Sequence, residues 1–207
     1  MLIVGLTGGV ASGKTAISQI LREEGAYLIN ADQIARELVQ PYTPTWNELI
    51  KVFGKEILQG DGSIHRKRLA AKVFSDAEQR NLLNQILHPR IKAEMNKRVQ
   101  EISEKDPTAI IVIDAALLIE LGDHREMDKV IVVTSTEKQQ IERLTERDGV
   151  DQEEAQKVLS SQMPLDEKMK VADFVIWNEG SFEETKRRVK EVFQELKRIA
   201  LESKKRR

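Results

Sequence analysis

Cysteine is absent from the 207 residues. Disulfides, zinc–thiolate sites and thiol nucleophiles are therefore excluded. No apolar run approaches the ~18 residues of a membrane-spanning helix. The apolar start, Met1-Leu2-Ile3-Val4-Gly5, has no basic stretch before it and turns at once into glycines, so it reads as a strand rather than a leader peptide. Charge of one sign is also lacking. Thirty-three Lys and Arg against 34 Asp and Glu leave a formal net charge of −1, which removes the global basic footprint of a nucleic-acid binder. The basic end Lys204-Lys205-Arg206-Arg207 reads as a solvated terminus. Internal repeats and low-complexity stretches are missing too. These absences imply a cytoplasmic protein, expected as a monomer, with no nucleic-acid or membrane partner.

What is present is enough apolar sequence for a core, 40% of residues, in a length that suits one α/β domain with insertions. Residues 2–7 read as a buried strand, followed by a glycine-rich turn. Ile17, Ile20 and Leu21 then mark a helix over 14–24, which Gly25 is placed to end. A second strand is expected over 26–30, with Asp32 just after it. From about 32 to 105 the chain reads helical. Its apolar stripes are Ile34, Ala35, Leu38 and Val39, stopped by Pro41; Leu49, Ile50 and Phe53, stopped by Gly54; Leu69, Val73 and Phe74; and Leu82 to Leu87, continued by Ile91, Met95, Val99 and Ile102. Pro89 either interrupts this last pattern or opens a new helix. Strands are expected over 110–113, 129–134 and 174–177, and helices over 137–147 and 183–203. Asp151 with Glu154 resembles a capping box. Trp46 and Trp177 fall on apolar patterns and read as core. Strand and helix alternate as in a parallel sheet, with the stretches at about 32–105 and 138–170 carried as insertions.

Gly8-Gly9-Val10-Ala11-Ser12-Gly13-Lys14-Thr15 matches G-x-x-x-x-G-K-[ST] in full. Backbone N–H groups must approach phosphate oxygens closely, which a Cβ at the wrong turn position would block. The helix beginning near Gly13 directs its first N–H groups, through Ala16, and its positive dipole end at the anion. Lys14 brings a point charge to the outer phosphates, and Thr15 offers a hydroxyl to Mg²⁺. A GTPase switch is disfavoured, because the guanine signature N-K-x-D and any D-x-x-G are missing. A kinase and a non-catalytic ATP-binding regulator both remain.

Phosphoryl transfer requires positioning, charge neutralisation and a proton acceptor. Asp32, just past the second strand, is a candidate base or the N-cap of the following helix. Asp114, ending the strand over 110–113, is a candidate Mg²⁺ carboxylate, an N-cap or a solvated strand end. Arg143 and Arg147, spaced i, i+4, share a helix face and can clamp a phosphoryl group or simply be solvated. His88 beside Pro89 is open between a structural and a functional role.

Taken together, these residues resemble the dephospho-CoA kinase family along nearly the whole chain. Asn30-Ala31-Asp32-Gln33-Ile34-Ala35-Arg36 is similar to D-A-D-x-I-A-R. Asp61 to Leu69 is similar to D-G-x-[IL]-x-R-x-x-L, and Leu87-His88-Pro89-Arg90-Ile91 to L-H-P-x-I. Asp114-Ala115-Ala116-Leu117-Leu118-Ile119-Glu120 is similar to D-x-P-L-L-F-E, and Gln140 to Arg147 to Q-x-x-R-L-x-x-R. Gln162 and the run Ala172 to Gly180 complete the order. Departures fall at Asn30, Ala116, Ile119 and Val158. The resemblance implies an α/β P-loop three-layer αβα fold with a five-stranded parallel sheet. It implies a core over about 1–31, 106–137 and 171–207, a helical acceptor-binding part over about 32–105 and a lid over about 138–170. It implies transfer of the γ-phosphoryl of ATP, with Mg²⁺, to the ribose 3′-hydroxyl of dephospho-CoA. Asp32 would be the base, Arg143 and Arg147 would belong to the lid, and Asn178 would lie near the adenine. Arg36, His88, Leu117, Leu118 and Glu120 would serve the acceptor. A kinase for another small hydroxyl acceptor, such as a nucleoside or nucleotide, is the alternative.

Overall fold

The computed structural model describes residues 1–74 and 76–205, with backbone alone for Phe74 and for 203–205. Arg206 and Arg207 of the basic end lie outside the described residues. Two compact units emerge: Met1–Asn30 together with the chain from Glu101 onward, and Ala31–Gln100.

The first unit is built on five parallel strands, β1 (Leu2–Gly8), β2 (Tyr27–Asn30), β3 (Ile110–Asp114), β4 (Lys129–Thr134) and β5 (Phe174–Trp177), in the order β2-β3-β1-β4-β5. Alternation explains why helices must cover both faces. Ile131 and Val133 of β4 join Val4, Leu6 and Val112 in a core closed by Ile17, Ile20 and Leu21 of α1 (Lys14–Glu23) and by Val189, Phe193 and Leu196 of α9 (Phe182–Lys205). Val130 and Val132 point the other way, into Leu118, Ile119, Met163, Leu165 and Met169. Side chains of period 2 on a sheet buried on both faces give the continuous β-branched runs of the sequence. Trp177, expected in the core, is 44% exposed. It ends β5, an edge strand, and sits one residue out of phase with Ile176, which takes the core side.

After β4 come α6 (Glu137–Asp148), α7 (Gln152–Ser160) and α8 (Leu165–Met169). The expected cap is present, since Asp151 Oδ1 accepts the Glu154 N–H at 2.8 Å. Asp151→Ala should cost about 1 kcal/mol, a fall in Tm of about 2–4 °C for a chain of this size, measured by thermal melting.

The second unit is helical: α2 (Ala31–Leu38), α3 (Pro44–Phe53), α4 (Arg66–Phe74) and α5 (Ala77–Lys105), the last running on into the first unit. Leu49, Phe53, Ile57, Ile64, Val73 and Ile86 form its core, with Trp46 packed against it and its indole N–H donating to Gly62 O at 2.9 Å. Pro89 neither ends nor restarts a helix, because α5 passes through it. Apolar residues on both sides of the proline pack, Leu82, Leu83 and Ile86 before it and Met95 after it. That burial offsets the ~3 kcal/mol a helical proline costs. Locally, Arg90 Nη1 donates to Ile86 O at 2.6 Å. No helix among the described residues is long and apolar enough to cross a membrane.

Candidate active site

The central strand β1 delivers the chain to the phosphate loop at the carboxyl edge of the sheet. The link from β1 to β2 passes to one side and the link from β3 to β4 to the other, so the loop opens where strand order reverses, the usual position of a ligand crevice. Two residues of the loop have left-handed backbone, Ala11 (φ 55°) and Gly13 (φ 90°), the latter capping α1 without any side-chain bond. Gly13 is required twice over, since an added Cβ would also fall 2.0 Å from Asn178 Nδ2.

Side chains from after β4 and β5 hold the outside of this loop. Gln140 Nε2 donates to Val10 O at 2.7 Å, Arg143 Nη1 to Ala11 O at 3.2 Å and Asn178 Nδ2 to Ser12 O at 2.9 Å. Gln162 Oε1 accepts the Val10 N–H at 3.0 Å. In a trans peptide the C=O and the next N–H point opposite ways. Anchoring the Val10 and Ser12 carbonyls outward therefore turns the Ala11 and Gly13 amides inward. Those two, with the Lys14 and Thr15 amides, make no hydrogen bond among the described residues. The Ala16 N–H is used within the turn, donating to Gly13 O at 3.0 Å. The Ser12 hydroxyl is buried and has no hydrogen-bond partner among the described residues. Inward amides beside a lysine and a helix start are an anion cradle in ready form.

Lys14 forms an ion pair with Asp114 Oδ1, and Asn30 Nδ2 donates to Asp114 Oδ2 at 3.2 Å. Asp114, at the end of β3, is 2% exposed. Asn30 therefore supplies a donor to this carboxylate, where an aspartate would set a second negative charge against it. Thr15 is exposed on the first turn of α1.

Arg143 and Arg147 part company. Arg143 bridges Ala11 O and Asn178 O, the latter at 3.0 Å. Arg147 instead binds Asp148 through two bonds of 2.8 and 2.7 Å, which hold its guanidinium pKa above the ordinary value. Asn178 is itself oriented by Thr185, whose hydroxyl donates to its Oδ1 at 3.0 Å. Sequence reasoning did not assign Gln140 a role, although its i, i+3 spacing from Arg143 puts both on one face of α6. Gln140→Ala removes one anchor of the loop. A lost hydrogen bond of about 1 kcal/mol should raise the KM for ATP roughly fivefold, read from steady-state kinetics.

On the helical unit, α2 begins at Ala31, so Asp32 lies inside its first turn and is not its cap. Its carboxylate is exposed and unbonded among the described residues, and Arg36, one turn on, shares its face. His88 is half-buried in α5. In the segment after β3, Leu117 is 48% exposed, whereas Leu118 is core and lies so near Gly5 that a Cβ there would meet it at 2.4 Å. Glu120 faces Lys168, 2.7 Å away.

Comparison with known proteins agrees with this geometry. The family model described as dephospho-CoA kinase matches residues 2–184. A dephospho-CoA kinase of Corynebacterium glutamicum is 43% identical over 196 residues, 95% of this chain and 100% of that protein. Among solved structures, a protein of Thermus thermophilus superposes with a TM-score of 0.80 at 29% identity, over 94% of this chain and 97% of that one. A dephospho-CoA kinase from Campylobacter jejuni does so with a TM-score of 0.71 at 27% identity, over 95% of this chain and 97% of that one. With a five-stranded parallel P-loop core, a complete phosphate loop and these relatives along nearly its whole length, the chain is a kinase and belongs to the dephospho-CoA kinase family.

Proposed function

We propose that this kinase moves the γ-phosphoryl group of ATP from the cradle at residues 8–15 to the ribose 3′-hydroxyl of dephospho-CoA, giving ADP and CoA. The observation that carries the proposal is the loop itself: carbonyls anchored outward, amides turned inward and Lys14 at the helix start. The amides of Ala11, Gly13, Lys14 and Thr15 bind phosphate oxygens, while Gly8, Gly9, Val10 and Ser12 shape the turn. Arg143, already on the loop, places its guanidinium beside the phosphates. Arg147 reaches the same charge only by giving up Asp148. Asn178 fixes the loop next to the nucleoside.

Thr15 and Asp114 would hold Mg²⁺. One carboxylate and one hydroxyl, completed by phosphate oxygens, is a donor set this ion accepts. When bound, Mg²⁺ neutralises charge on the β- and γ-phosphates. Asp32 takes the proton of the attacking hydroxyl; its exposed carboxylate, two residues past the end of β2, supports that role. Arg36, on the same helix face, suits an acceptor phosphate. His88, Leu117, Leu118 and Glu120 shape the acceptor side, Leu118 from within the core.

The test is an ADP-release assay with a panel of acceptors. Turnover with dephospho-CoA and not with nucleosides, nucleotides or water is expected. Preference for a nucleoside would overturn the acceptor assignment, and no turnover with any acceptor would favour a nucleotide-binding regulator.

A further inference from the structure

Among the described residues two charged side chains are buried, Asp114 and Lys168. Lysine is almost never fully buried unless paired, and Lys168, on α8, is 0% exposed. Its ammonium lies 2.7 Å from Glu120 Oε1 and donates to Ala116 O at 3.5 Å. The same Ala116 carbonyl accepts the hydroxyl of Thr7 at 3.1 Å, and Thr7 immediately precedes the phosphate loop. One seven-residue segment, 114–120, is thus held at three points. Lys14 grips it at Asp114, Thr7 and Lys168 at Ala116, and Lys168 again at Glu120.

Stability does not explain this arrangement. A buried ion pair is often matched or bettered by apolar side chains of similar volume, because desolvation consumes the Coulombic gain. Here the surroundings already supply them: Leu118, Ile119, Met163, Leu165 and Met169 form the adjacent core. The pair is also poorly made as a stabiliser, since both Glu120 carboxylate oxygens are buried and neither accepts a hydrogen bond among the described residues. What an ammonium offers that a methyl cannot is direction, through attraction to a carbonyl and a carboxylate at once.

We propose that Lys168 is a positioning residue for phosphoryl transfer: from α8 it fixes the 114–120 segment, and so sets the angle of the Asp114 carboxylate and of exposed Leu117. The proposal rests on the kinase reading given above. It makes the placement of α8, at the end of the lid stretch, felt at the carboxylate that pairs with Lys14.

The experiment compares wild type, Lys168→Arg and the double variant Lys168→Met with Glu120→Leu, by thermal melting and by kcat and KM for both substrates. The double variant removes both charges, so it should melt within a few degrees of wild type. Its kcat should nevertheless fall by roughly 10–100-fold, the scale of a displacement near 1 Å, with KM for ATP nearly unchanged. Lys168→Arg, which keeps the charge, should retain most of the activity. A folded double variant with wild-type kcat overturns the proposal, as does an arginine variant no better than the double. Should the double variant fail to melt cooperatively, Lys168→Gln with Glu120→Gln takes its place, again removing both charges: reduced kcat with KM for dephospho-CoA unchanged supports the proposal, and wild-type kcat, or a change confined to that KM, ends it. A wild type inactive on dephospho-CoA would instead refute the substrate reading, so the two failures are told apart.

Discussion

Replacing Asp32 by asparagine is expected to lower kcat on dephospho-CoA by about 10²–10⁴-fold, the range for loss of a general base. Asparagine keeps the shape of the side chain and removes its ability to take a proton. Asp32 is exposed and unbonded among the described residues, so the fold should not notice: surface changes of this kind stay within about 0.5 kcal/mol. ATP affinity should also hold, because the amides and the ammonium proposed to bind phosphate all belong to the unit that does not contain Asp32. The loss would therefore appear in kcat and equally in kcat/KM for the acceptor, with calorimetric ATP binding unchanged. Near-normal turnover in this variant would remove Asp32 from the mechanism and leave the cradle intact.

Lys14→Met should have a second large effect, on two properties at once. Turnover loses the cation proposed to leave Asp114 for the transferring group, a fall of about 10²–10³-fold by the scale of a single electrostatic stabiliser. In the absence of nucleotide the variant also strips Asp114 of its ion-pair partner. A buried carboxylate left with Asn30 alone is under-satisfied, at a cost of about 1–3 kcal/mol. That predicts a Tm lowered by about 2–4 °C for each kcal/mol. Adding Asp114→Asn should recover melting without recovering turnover. If melting and turnover recovered together, Lys14 would be acting on the fold and not on the phosphate.

The phosphate loop was legible residue by residue because its chemistry is local: the glycines, Lys14 and Thr15 are near neighbours in the chain, and the structure places them from the last residue of β1 to the first turn of α1. The five strands were legible for a similar reason, since a sheet covered on both faces leaves continuous apolar runs. Long-range partnerships were not. Nothing in the pattern says that Asn30 donates to Asp114, 84 residues away, or that Gln140 grips Val10 at a separation of 130. Lys168 was invisible, because one lysine in a charged stretch looks like a solvated one; only packing reveals that it is enclosed. Pro89 and Trp177 went astray for the opposite reason. Each followed a sound local rule that tertiary context overrode, through packing on both sides of the proline and through the sheet edge at the tryptophan.

The most direct test follows the phosphorus atom. With γ-³²P-ATP and dephospho-CoA, the account predicts that the label leaves ATP and appears as a phosphomonoester on the ribose 3′-oxygen of CoA, one label for each ADP formed. Label released mainly as inorganic phosphate, or found on another oxygen of the acceptor, would contradict it.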